Sequence, residues 1–363
     1  MRTAVIFINF LRKDDDWEKM NIRLFQQIAA SQPAHEFVFI SEKNIVSLTA
    51  AANISTLIIA KPSFTGLGLR LWFDYKLPSV LRKQQIDAVF FTDGFCSLRY
   101  KKTQFMWMKN QFLAQPSTAG YLKKRFQKSL QKIKSVIVTA PQQKVLLIDN
   151  QLINEEKIQV VNLFPDAALQ PFDWQIKESI KEKYSQGKEY FLYEINEGDP
   201  VDPLTILKAF SLFKKRQQSN MQLLMAGKSG KTPRGFLSKL DSYKYRNEVQ
   251  LIGSHEKNEL RDLQGAAYCL LRFMDEEMSL PLLNAMQMGM PVIALKKNIS
   301  VEMFDNTVLQ ANAANPESIA EQMKLIYKDE NLRSRIIETG LVMAGKNTVS
   351  DTAAQVWDAI VKS

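Results

Sequence analysis

Short apolar runs alternate with longer amphipathic stretches along nearly the whole chain, and this alternation constrains the fold more than any other feature. A short apolar run between polar turns reads as a strand buried on both faces, as in a parallel sheet. A stretch with apolar residues three and four apart reads as a helix that covers such a sheet. In the first half the expected strands are 4–9, 36–41, 56–60, 88–92, 104–108 and 136–139, with helices at 16–31 and 77–85. Residues 155–165 read as a short strand leaving the first domain, and 166–189 as a polar connection with a charged helix. A second series follows, with strands at 190–194, 222–225, 249–252, 268–273 and 291–294 and helices at 203–216, 235–242, 257–264 and 280–288. Helices at 316–327, 330–344 and 350–361 close the chain. The expected fold is therefore α/β, with two doubly wound domains facing each other across a cleft. Sheets of this kind bind ligands outside the carboxyl ends of their strands.

Composition removes several function classes. With only Cys96 and Cys269, neither a disulfide framework nor a thiolate-rich zinc site is expected. His35 and His255 are the only histidines and lie far apart, so no metal site is expected on them. The turn Asp199-Pro-Val-Asp202 has the residue types to hold Mg²⁺ against phosphates, but a polar turn explains it more simply. No apolar run reaches the ~18 residues of a membrane-spanning helix. The apolar start runs into Arg12, Lys13 and three aspartates rather than a cleavage site, which fits a first buried strand and a cytoplasmic protein.

The net charge of +10 falls entirely within residues 1–170. Between Asp93 and Asp149 there is no acidic residue, while eleven basic ones occur there. Residues 121–133 form an amphipathic helical pattern, with Leu122, Phe126, Leu130 and Ile133 on one face and lysines fanned over the other. The expected positive face comprises Lys101, Lys102, Lys109, Lys123, Lys124, Arg125 and Lys128. Two readings stay open: a solvated face on a core helix, or adhesion to an anionic membrane surface. No nucleic-acid motif accompanies the charge, so no nucleic-acid partner is expected.

The second half carries more specific patterns. Tyr190-Phe-Leu-Tyr193 is followed by Leu207-Lys-Ala-Phe210, and Leu223-Leu-Met-Ala-Gly-Lys-Ser-Gly230 pairs a strand with a glycine-bearing loop. Val249-Gln-Leu-Ile-Gly253 precedes Glu259-Leu-Arg-Asp-Leu-Gln-Gly-Ala-Ala267. Then comes Glu276-Glu-Met-Ser-Leu-Pro-Leu-Leu-Asn-Ala-Met-Gln-Met-Gly-Met-Pro-Val-Ile-Ala294. Together these resemble the group 1 retaining glycosyltransferases, family four of that classification, over roughly residues 135–350. The resemblance implies the GT-B fold of two Rossmann-like domains. It implies an N-terminal acceptor domain at 1–165, with the last helix (350–363) packed back on it, and a nucleotide-sugar domain at 166–349. It also implies transfer of a sugar from a UDP- or GDP-type donor to a glycan or lipid-linked cell-envelope acceptor, with no tightly bound cofactor. Peripheral attachment to the inner face of the membrane would follow.

Residue by residue, the resemblance gives Glu276 the catalytic position, approaching the donor sugar hydroxyls. Asn284 stands where a second acid meets the ribose, and amides around Met278, Ser279 and Leu280 hold the diphosphate at a helix start. Gly227, Lys228, Asn196 and Gly253 complete the donor side. The departures fall on the same surface. An arginine and a lysine expected in the loop after Tyr193 are Asn196 and Val201, and that loop carries Glu194, Glu197, Asp199 and Asp202 instead. Four carboxylates there would repel a diphosphate unless a cation intervenes. The run Gly227-Lys-Ser-Gly-Lys-Thr232 is not a P-loop, because its first required glycine would be Met225. Glu276 and Glu277 also suit a solvated helix start, and Gly289 and Pro291 suit a helix stop and a strand start. The alternative function is a catalytically inactive glycosyltransferase-like protein that binds glycan, membrane or a partner.

Overall fold

The computed structural model describes residues 1–361 except 9–14, 46–50, 62, 64–65, 109–119, 196–200, 228–234, 254–256, 274–279, 296–305 and 313. The chain forms two compact units, Met1–Leu163 together with Asn347–Ser363, and Phe164–Lys346.

The first unit contains strands β1 (Arg2–Ile6), β2 (Glu36–Ser41), β3 (Ile54–Ile58), β4 (Ala88–Phe91), β5 (Thr103–Trp107), β6 (Ser135–Val138) and β7 (Ile158–Val160). All pair in parallel, in the order β3-β2-β1-β4-β5-β6-β7. Its helices are α1 (Asp15–Ser31), α2 (Gly66–Leu71), α3 (Leu77–Lys83), α4 (Gly120–Lys132) and α5 (Pro141–Asp149). The inner strands are apolar on both faces because helices cover both sides; Ala88, Val89, Phe90 and Phe91 are all buried. The last helix, Val349–Val361, belongs to this unit and lies against α1. It is pinned there by Trp357, whose ring stands 4.9 Å from His35, and by Thr352, whose Oγ1 donates to the Asn162 carbonyl at 2.9 Å.

Between α2 and α3 the helix widens into a π-turn at Trp72–Lys76, where the Leu77 N–H reaches back to the Trp72 carbonyl. Pro78 accounts for the widening, since it lacks an N–H and its ring crowds the turn before it. The pattern expected a helix only from residue 77; Gly66 and Gly68, poor helix formers, obscure the earlier turns. The π-turn also buries Asp74, which accepts from Nη1 and Nη2 of Arg125 at 3.1 Å each and from the Leu98 N–H at 2.8 Å. Arg125 in turn donates to the Cys96 carbonyl at 3.1 Å and covers the Phe73 ring at 4.9 Å. This corrects the expected positive face: Arg125 is 9% exposed and points inward, because a buried carboxylate needs a buried cation.

The second unit contains β8 (Tyr190–Ile195), β9 (Gln222–Gly227), β10 (Val249–Ile252), β11 (Cys269–Arg272), β12 (Val292–Leu295) and β13 (Leu309–Ala311). They form a parallel sheet in the order β10-β9-β8-β11-β12-β13. Strand β13, three residues with a central glutamine, was not expected from the pattern. The helices are α6 (Trp174–Ser185), α7 (Pro203–Gln217), α8 (Phe236–Asp241), α9 (Lys257–Ala266), α10 (Leu280–Gln287), α11 (Pro316–Lys328) and α12 (Glu330–Gly345). Asp173, Asp202, Asn315 and Asp329 cap four of them, each accepting a backbone N–H of the first turn. Burial pushes the Cys96 and Cys269 thiols up to about 12, so both stay protonated and unreactive at neutral pH.

The Asp74–Arg125 pair gives a direct test of the first unit's core. Replacing Arg125 alone by Met is expected to cost about 3–5 kcal/mol in urea denaturation, because Asp74 is left buried and unpaired. Asp74→Leu with Arg125→Met should cost less than either single change. A double variant as unstable as the sum of the singles would show that the two charges do not depend on each other.

Candidate functional site

Strand order reverses between β8 and β11 in the second sheet, and the crevice outside their carboxyl ends is where such a sheet accepts a ligand. The last registered couple of the two strands is Tyr193 with Leu271. The next residue on each strand is charged. Glu194 Oε2 and Arg272 Nη1 meet at 2.9 Å, with side chains 10% and 13% exposed. Gln264 on α9 donates its amide to the other Glu194 oxygen. Residues 196–200 and 274–279, which follow these strands in sequence, lie outside the described residues, and with them Asn196, Glu276, Met278 and Ser279.

Two of the four carboxylates expected to crowd this loop have other duties. Glu194 is neutralised by Arg272, and Asp202 Oδ1 caps α7 by accepting the Leu204 N–H at 3.0 Å. Glu197 and Asp199 lie outside the described residues. Val201, at the place of an expected lysine, is 2% exposed and part of the core, and its carbonyl accepts the Tyr193 hydroxyl at 3.2 Å. Gly227 ends β9 beside Ile195, and a Cβ there would stand 3.1 Å from the Ile195 Cβ, so close strand packing is one reason for a glycine. Gly253, just past β10, is exposed with open space around it. Lys228 lies outside the described residues.

Helix α10 begins at Leu280, which is buried, and carries Asn284 one turn further on. Asn284 Oδ1 accepts the Asp166 N–H at 2.9 Å. An amide oxygen has two lone pairs, so this bond leaves capacity for a ligand hydroxyl. The bond is one of several that fasten the incoming segment to this unit. Arg261 donates to the Ala168 carbonyl at 2.8 Å, and Phe172 packs on Gly265 so closely that a Cβ would stand 2.4 Å from the ring. Gly289 follows α10 with φ +66°, a left-handed conformation that stops the helix before β12. The amphipathic reading of α4 holds for its apolar side, since Leu122, Phe126 and Leu130 are buried. Lys101, Lys102, Lys123, Lys124 and Lys128 are exposed, Lys102 at 3.9 Å from Asp87. Lys109 lies outside the described residues.

Among the described residues, no group of three or more His, Cys, Asp or Glu side chains is placed to hold a metal. Among them too, no helix is long and apolar enough to cross a membrane. A surface hollow beside β7, lined by Lys144, Glu155 and Gln159, sits at the edge of the first sheet and away from that sheet's own strand-order reversal.

Residues 176–342 match the family model for glycosyl transferases group 1. That span is nearly the whole second unit, which thus belongs to the group 1 glycosyltransferases. Solved structures extend the likeness to the full chain at the level of fold. WaaG, a glycosyltransferase involved in lipopolysaccharide biosynthesis, superposes with a TM-score of 0.73 over 100% of both chains at 14% identity. HepE from Anabaena in complex with UDP-glucose gives 0.74 over 99% of this chain and 100% of its own, at 11% identity. Sucrose-phosphate synthase from Thermosynechococcus elongatus gives 0.75 over 99% and 98%, at 13% identity. The two doubly wound units have the GT-B fold. No curated protein sequence matches the chain.

Asn284 couples the site to the connection. Asn284→Ala is expected to lower stability by about 1 kcal/mol in urea denaturation, because the part-buried Asp166 N–H loses its acceptor. Asn284→Asp keeps an acceptor and should cost less. Equal stability of the two variants would mean that this bond contributes nothing.

Proposed function

We propose that the chain is a retaining glycosyltransferase. It moves a sugar from a UDP- or GDP-type nucleotide-sugar to a glycan or lipid-linked acceptor of the cell envelope. The observation that carries this reading is the group 1 domain at 176–342, built on a sheet whose strand order reverses at β8 and β11. The fold shared with HepE, solved with UDP-glucose, supports a nucleotide-sugar donor, and the fold shared with WaaG supports an envelope acceptor. In this reading Glu276 meets the donor sugar hydroxyls, Asn284 the ribose, and the amides of Met278, Ser279 and Leu280 the diphosphate. Lys228 and the backbone at Asn196, Gly227 and Gly253 complete the donor side. Transfer with retention proceeds on the donor's own face: a donor phosphate oxygen takes the acceptor proton as the new glycosidic bond forms and the nucleotide leaves. No resident metal or cofactor enters. The first unit handles the acceptor, at the cytoplasmic face of the membrane.

Burial of Val201 favours a second reading, because a position that serves the diphosphate in the family is given to the core. There the chain keeps the fold and binds glycan, membrane or a partner without transfer. A thermal-shift screen with UDP, GDP and their sugars separates the two. A bound nucleotide at 100 times its Kd stabilises the protein by about 2.7 kcal/mol, which shifts the melting temperature measurably. Stabilisation with sugar transfer to an envelope acceptor supports the first reading. Stabilisation by none of them, with no transfer, contradicts it and leaves the second.

The exposed lysines give a separate expectation. Each Lys near an anionic surface is worth about 1 kcal/mol, so Lys101, Lys102, Lys123, Lys124 and Lys128 should bring the protein down with anionic vesicles at low salt. With Leu122 and Phe126 buried, binding through α4 is electrostatic. It should fade as the Debye length falls from about 10 Å at 0.1 M to about 3 Å at 1 M. Equal co-sedimentation with neutral and anionic vesicles would remove the lysines from the account.

A further inference from the structure

We propose that Arg272 supplies a positive charge that receives the donor diphosphate, and that Glu194 and Gln264 hold its guanidinium in position. The inference rests on the nucleotide-sugar reading above. Arg272 and Glu194 are neighbours at the carboxyl ends of β11 and β8, the two strands between which the sheet order reverses. The loop that follows each strand is one to which the resemblance assigns donor contacts: Asn196 after β8, and Glu276, Met278, Ser279 and Leu280 after β11. At the two positions where the family pattern places cations, Asn196 is neutral and Val201 is in the core. Lys228, on the donor side in the reading above, gives a diphosphate in this crevice one compensating charge, and Arg272 adds one at the strand ends themselves.

The pair itself is hard to explain as a source of stability. Two charges with about a tenth of their surface exposed lose most of their hydration, and a well-packed apolar pair at such a place is often no less stable. An anion-binding role does explain it. A guanidinium presents its N–H donors in a planar fork whose geometry matches phosphate oxygens. Glu194 is fixed in turn by the Gln264 amide, so it orients the guanidinium without swinging toward the ligand itself. Arg272 is thus a binding residue, while Glu194 and Gln264 are positioning residues.

Two opposite effects distinguish this from a structural ion pair. Arg272→Gln should weaken UDP binding about tenfold or more by calorimetry, while uridine, which has no phosphate, binds as before. Its UDP affinity should also respond less to salt. Glu194→Gln removes the competing carboxylate and leaves the guanidinium charge unopposed, so it should tighten UDP binding several-fold at low salt. The double variant Glu194→Gln with Arg272→Gln leaves no isolated charge in the core, and serves if Arg272→Gln alone does not fold. It should lose UDP affinity as the single variant does. If the wild type binds UDP and the folded Arg272 variants bind it equally well, Arg272 has no part in the site and the nucleotide reading stands. If the wild type binds neither UDP, GDP nor their sugars, the nucleotide reading fails and this inference fails with it.

Discussion

A parallel sheet covered by helices on both faces has polar openings only at its strand ends, and the reversal of strand order sets which end can admit a ligand. Both units obey this constraint, and they use it differently. In the first, the order reverses between β1 and β4. There the buried Trp17 indole donates to the Thr92 carbonyl at 3.0 Å, and the Thr92 hydroxyl donates to the Ile6 carbonyl at 2.7 Å. Trp17, Thr92 and Ile6 at that reversal are tied to one another. In the second, the reversal carries the Glu194–Arg272 pair, two charges at the end of otherwise apolar strands.

Each unit thus contains a sequestered arginine–carboxylate pair, and the surroundings separate their roles. Arg125 is enclosed by Asp74, the Cys96 carbonyl and the Phe73 ring, which reads as a lock between α4 and the π-turn. Arg272 ends its strand four residues before Glu276 in sequence. The connection into the second unit is equally purposeful: Asn284, Arg261, Gly265 and Gly289 each contact or make room for the segment around 166–172. Asn284 therefore has a structural duty whatever it does for a nucleotide.

Much of the fold was legible because parallel strands are written as plain apolar runs; Ala88-Val-Phe-Phe91 and Tyr190-Phe-Leu-Tyr193 admit little else. Strand β13 escaped because three residues around Gln310 have no apolar signature. The helix at 66–76 escaped because glycines begin it and Pro78 ends its regular hydrogen bonding. The site was legible only as a motif, and two charged residues were read without their distant partners. Arg125 looked like one more cation on a basic helix, because its partner Asp74 is 51 residues away in sequence. Glu194 looked repulsive to a phosphate because Arg272 is 78 residues distant. One signal was available in both strands: a lone charge at the end of a fully apolar run, Tyr190-Phe-Leu-Tyr-Glu194 and Cys269-Leu-Leu-Arg272, is costly unless it is paired.

The central claim is that a nucleotide-sugar binds where the second sheet reverses. Amide hydrogen exchange of the full chain with and without saturating UDP-glucose or GDP-mannose tests it most directly. The account predicts new protection at the carboxyl ends of β8 and β11, in the loops that follow them, and in the first turns of α10. Protection confined to the first unit, or donor turnover with no change at these strand ends, would contradict it.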